Sequence, residues 1–117
     1  MKIYLDVCCL NRPFDDQTRD RIHLESEAVV LILKNIRLRD WEWVSSEVVD
    51  HEIGQTPDME RRNRVGSLIR YAARTVLINK SIAKRALELE ALGFGAYDAL
   101  HLACAEQADV DVFLTTD

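Results

Sequence analysis

The runs TVLI (75–78) and VFL (112–114) show no polar alternation, so strands built from them cannot keep one face in water. Such strands belong to parallel sheets covered on both sides, and the stretches between them carry the matching helical period. An opening strand is expected over 2–5 (KIYL), ending at Asp6, with others over 41–45 (WEWVS), 75–78 and 110–116. The segment 6–14 (DVCCLNRPF) contains turn formers and reads as a connection. From 16 to 39 there is neither Pro nor Gly, and Ile22, Val29, Ile32, Leu33 and Ile36 recur at three- and four-residue steps, which predicts a long amphipathic helix. The apolar run 28–33 predicts burial of that helix on more than one side.

Ser45 or Ser46 is placed to cap a helix through Glu52 and Ile53 that Gly54 ends. Thr56 and Pro57 read as the start of a helix carrying Met59, Val65, Leu68 and Ile69 toward Ala73, and Ser81 as the cap of one running to Leu92. Gly93 stops it. A last helix from near Ala96 turns Leu100, Ala103, Cys104 and Ala108 inward. The expected fold is therefore a three-layer α/β/α domain with a central parallel sheet of about four strands, filling 1–117 as one unit.

Composition narrows the function. With 15 Lys or Arg against 20 Asp or Glu the formal charge is −5, too acidic for a protein that coats nucleic acid by displacing counterions. An enzyme that acts on nucleic acid through a carboxylate cluster stays open. Cys8 and Cys9 are adjacent and Cys104 stands apart, without the spacing that zinc or dithiol chemistry uses, so free thiols are expected. The longest apolar run, six residues, falls far short of the roughly 18 needed to cross a bilayer, and Asp6 interrupts any leader-like stretch. A cytoplasmic protein without membrane attachment is the expectation.

Ligands of parallel sheets bind beyond the carboxyl ends of the strands. Asp6 follows the first strand, Asp117 the last, Asp98 opens a helix after Gly93 and Gly95, and Glu52 lies in the helix after strand two. Glu52 is preferred over Glu47 and Asp50 in the same helix, Glu47 in the first turn being already explained by the helix dipole. Four carboxylates without a covering cation repel one another unless metal neutralises them, and hard oxygen donors select Mg²⁺ or Mn²⁺. Two such ions roughly 4 Å apart would activate water and stabilise a leaving oxygen of a phosphodiester.

The strand-terminating Asp6, Glu52 within SSEVVDHEI, Asp98 within GAYDALHLACA, and the closing TTD at 115–117 resemble the PIN domain over essentially the whole chain. The resemblance implies an Mg²⁺- or Mn²⁺-dependent ribonuclease acting on single-stranded RNA, of the kind that serves as the toxin of a toxin–antitoxin pair. It also implies roles. Asp6 and Asp98 would be the principal metal ligands, Glu52 would hold metal or its water, Asp117 would complete the quartet, and Thr115 would orient a water or ligand. Arg12, close behind Asp6, is the expected phosphate contact. Partners implied are RNA, an antitoxin protein and a second copy in a homodimer, for which Leu31, Leu38 and Tyr71 are candidate surface residues.

Two features depart from the family pattern. Val7-Cys8-Cys9 follows Asp6 where a small hydroxyl residue is usual, removing a hydrogen bond behind the metal. The sequence ends at Asp117 where relatives commonly continue, so the expectation is either a domain truncated at its C-terminus or a frayed fourth site. Both features keep a second reading alive, that of a weakly active or inactive PIN-like module that binds another protein. His101 is expected to be a packed or hydrogen-bonded imidazole, and His23 and His51 surface residues. Arg61, Arg62, Arg64, Arg70 and Arg74 are read as a solvated face, and Trp41 and Trp43 as packing against the long helix. An aspartyl-phosphate mechanism at Asp6 would need a second acid where Cys8 stands.

Overall fold

Lys2–Leu5 (β1) runs through the inside of a four-stranded sheet, flanked by Glu42–Ser46 (β2) on one side and Val112–Leu114 (β4) on the other. Arg74–Val76 (β3) lies outside β2, giving the order β3-β2-β1-β4, and every pairing is parallel. Ile3 stands opposite Trp43 and Val112, and Tyr4 opposite Val44 and Phe113. The computed structural model describes residues 1–116. Ile3, Tyr4 and Leu5 point alternately to the two faces yet all are buried, so both faces are covered, as continuous apolar strands require.

The helices are Val7–Asn11 (α1), Asp20–Arg37 (α2), Glu47–Gly54 (α3), Met59–Leu68 (α4), Lys80–Ala91 (α5) and Ala96–Gln107 (α6), with single 3₁₀ turns at Arg12–Phe14 and Ile69–Tyr71. The first was expected as a connection. Val7, Cys9 and Leu10 all enter the core, and the turn formers act only at its end, where Pro13 falls in the 3₁₀ turn that follows. Helix α2 buries the stripe Ser26, Val29, Leu33 and Ile36, each apolar member contributing roughly 1.5–3 kcal/mol. Its burial is one-sided, contrary to expectation: Val30 and Leu31 are 52% and 59% exposed, because one face meets the core and apolar character alone does not bring the other inside.

Caps decide the remaining helix starts. Ser46 accepts the Val49 N–H at 3.3 Å and opens α3 as expected. Helix α4 begins later than Thr56-Pro57 suggests, because Asp58 accepts the Glu60 N–H at 2.9 Å, and α5 is capped not by Ser81 but by Asn79, which accepts from Ile82 at 2.8 Å. In both cases the short side chain nearest the free amides prevails. After α5 the chain reverses at Gly93, whose φ of +109° excludes ordinary side-chain-bearing residues. Strands β3 and β4, at the sheet edges, are three residues each and shorter than expected, leaving Leu77 exposed. No helix among the described residues is long and apolar enough to cross a membrane.

Candidate metal and acid site

Parallel strands deliver their exits to one edge, and that edge collects most of the acids singled out above. Asp6 leaves β1 with its backbone N–H donating to the Leu114 carbonyl at 3.0 Å, which fixes it against β4, and Thr115 Oγ1 donates to its carboxylate at 3.3 Å. It is buried. Glu52 projects, half-buried, from the last turn of α3, and His101 rises fully buried from the second turn of α6. One donor atom from each of Asp6, Glu52 and His101 lies within 4.8 Å of the others.

His101 is held at both nitrogens. Nε2 hydrogen-bonds Glu52 Oε1 and lies 3.7 Å from Asp6 Oδ1, while Nδ1 meets the Tyr4 hydroxyl at 2.6 Å. Tyr4 in turn is 2.7 Å from Ser46 Oγ, the same oxygen that accepts the Val49 N–H. A neutral imidazole with its proton on Nε2 satisfies this line in a single direction: Val49 N–H to Ser46, Ser46 O–H to Tyr4, Tyr4 O–H to Nδ1, and Nε2–H to the Glu52 carboxylate. Burial pushes the Tyr4 phenol well above its ordinary range, which keeps it a donor. The α3 cap is thus wired to the carboxylate at the other end of the same helix.

Asp98, in the first turn of α6, is exposed and outside the tight trio, but it lines one cleft of about 260 Å³ together with Asp6, Thr115, Phe94, Leu102 and Phe113. Three of the four expected acids therefore border one edge of the sheet. Asp117 lies outside the described residues. Among those described, neither Asp6 nor Glu52 has an ion pair with Lys or Arg; their charged-capable neighbour is His101. Arg12 is committed elsewhere, donating to Glu25 at 2.7 Å and Asp15 at 2.9 Å, so a phosphate there must compete with two carboxylates. Arg61 joins the same knot by donating to Asp15 at 2.6 Å.

The departure after Asp6 has a structural answer. Cys8 Sγ lies 3.4 Å from Thr115 Oγ1 and accepts the Thr116 N–H at 3.4 Å, so the thiol braces the threonine that bonds Asp6. A hydrogen bond from Cys9 lowers the Cys8 thiol to about 6, helped by Thr115 and Thr116. Tyr4, and the bond from His101 to Glu52, were not read from the sequence. The available signals were local: Tyr4 lies two residues before Asp6 on the same side of the strand, and His101 one helical turn after Asp98.

The chemistry of this donor set, two buried or half-buried carboxylates with a third across the cleft, fits a hard divalent cation. The family model of the PIN domain matches residues 3–117. Among solved structures, VapBC2 from Rickettsia felis bound to a DNA fragment from their promoter is similar, with a TM-score of 0.62 at 16% identity, covering 100% of this chain and 88% of that one. At that identity the likeness speaks for the fold. Comparison with curated protein sequences gives no match. With the family model matched over nearly its whole length and the fold agreeing, the chain belongs to the PIN-domain family.

Proposed function

We propose that the chain is a ribonuclease that uses Mg²⁺ or Mn²⁺ to hydrolyse phosphodiester bonds of single-stranded RNA, acting as the toxin of a toxin–antitoxin pair. The observation that carries this reading is the meeting of Asp6 and Glu52 in one partly buried cluster whose only ion-pair partner, among the described residues, is the imidazole of His101. Left alone, such a pair would repel or take up a proton. A bound divalent ion would neutralise the acids, lower the pKa of a water and stabilise charge on the phosphate.

The chain's own groups divide the work. Asp6 and Asp98 would ligate from the two sides of the cleft, with Asp117 as the further acid implied by the family. Glu52 would bind metal or hold its water, and His101 fixes which carboxylate oxygen is free to do so. Thr115 orients the Asp6 carboxylate. Fold similarity to VapBC2 supports an antitoxin as the protein partner. The exposed Leu24, Leu31 and Leu38, spaced seven apart along α2 and its C-cap, support a homodimer.

Cleavage of a single-stranded RNA in Mn²⁺, run beside Asp98→Asn and Asp6→Asn, tests the reading. Both variants should lose activity by at least ~100-fold while melting cooperatively. Equal cutting by all three proteins would remove the site. Calorimetric titration with Mn²⁺ should give saturable heat that Asp6→Asn abolishes, whereas a protein-binding module would give none.

A further inference from the structure

We propose a second site at the opposite, amino-terminal edge of the sheet, built for a nucleoside phosphate by Arg37, Arg39 and Arg70 around the rings of Tyr71 and Trp41. It is separate from the acid cluster and stands or falls without the cleavage reaction. The end of α2, the entry to β2 and the 3₁₀ turn before β3 converge there and enclose a cleft of about 310 Å³.

Its arginines are not tied up in ion pairs with the described residues. Arg12, Arg21, Arg61, Arg64 and Arg85 are each paired with a carboxylate. Among the described residues Arg37, Arg39 and Arg70, like Arg19, Arg62 and Arg74, have no such partner, and these first three line one cleft. The one carboxylate lining the cleft is Glu42, with Asp40 preceding it in the connection. Three guanidiniums facing one acid leave a positive concavity on a protein of net charge −5. Fork-shaped guanidinium donors match phosphate oxygens better than any other side chain.

The aromatic groups supply the second half. The guanidiniums of Arg37 and Arg70 lie 5.4 and 4.9 Å from the Tyr71 ring centre, and Arg70 also donates to the Tyr71 hydroxyl at 2.9 Å. That bond, with the charge of both arginines, holds the phenol below its ordinary range. Arg39 is placed with φ +62°, a strained conformation for a residue with a side chain. Arg37, Arg70 and Tyr71 also border a second, largely apolar groove of about 600 Å³ walled by Val30, Leu33, Leu38 and Leu68, with Lys34 at its side. Phosphate recognition next to stacking and apolar surface is the combination that a nucleotide needs, whether free or as one unit of an RNA strand.

Both tryptophans of the chain, Trp41 and Trp43, line the cleft, so intrinsic fluorescence reports occupancy directly. The test titrates the full chain in EDTA with AMP, inorganic phosphate, a short oligoadenylate and polyglutamate, beside an Arg37→Gln/Arg70→Gln variant checked for cooperative melting. AMP and the oligonucleotide should give saturable changes weakened at least about tenfold in the variant, the loss expected from removing a charge-assisted hydrogen bond. Binding should persist in Asp6→Asn. AMP as tight as the oligonucleotide identifies a free nucleotide as the source, and a clear advantage for the oligonucleotide identifies RNA. No saturable change, equal binding by the variant, inorganic phosphate as tight as AMP, or a response to polyglutamate alone would each overturn the proposal. Should the double variant unfold, Arg39→Gln, on an exposed connection, must show the same weakening.

Discussion

The Tyr4 hydroxyl joins two demands, satisfying the buried Ser46 and His101 while its ring stacks on Phe113 at 5.4 Å. Tyr4→Phe keeps the stacking and strands both partners, so unfolding in urea should show a loss of ~1–3 kcal/mol. Activity should fall further than stability explains, because Nδ1 loses the donor that fixes the His101 proton on the side of Glu52. Single-turnover cleavage under fully folded conditions would separate the two effects. Cys8 offers a pH-dependent readout. With its thiol lowered to about 6, thiolate forms above that pH, so alkylation at Cys8 should rise through pH 6 and level off near neutrality. The bond to Cys8, with burial, raises Cys9, and burial raises Cys104, so both should stay unreactive until the protein unfolds. Mass-spectrometric mapping of alkylation across pH checks the order.

At the level of elements, two helix caps have different reach. Asn79→Ala removes the cap of α5 and should cost ~1 kcal/mol with cleavage unchanged in folded protein. Ser46→Ala should cost at least as much and also lower activity, since Ser46 continues to Tyr4 and His101. Denaturant melts paired with cleavage rates would show whether the two variants diverge. Capping also marks where sequence reading stops working. The order of strands and helices was legible because continuous apolar runs and helical periods are properties of long segments. The caps at Asp58 and Asn79 were not, because several short polar residues compete within three positions and only the backbone path chooses. Helix α1 escaped notice for a related reason: five residues are too few to show a period. In the site, Asp6 and Glu52 could be placed from their positions after β1 and β2, whereas the bond from His101 to Glu52 depends on how α6 packs beside α3, which no local pattern encodes.

Across the whole molecule, α2 presents one face to the core and another, with Leu24, Leu31 and Leu38, to solvent. Leu31→Glu should leave stability within about 0.5 kcal/mol, as surface substitutions do, and should abolish the proposed homodimer in sedimentation. The sheet order has a temporal consequence. Among the described strands the earliest made, β1, pairs with the latest, β4, and it is β4 that braces Asp6 through Leu114 and brings in Thr115. A chain still emerging from the ribosome carries Asp6, Glu52 and even Asp98 before the strand that braces Asp6 exists. The order of synthesis thereby delays the bracing of Asp6 until β4 has been made, and on the proposed reading nascent chains arrested before Val112 should leave RNA uncut.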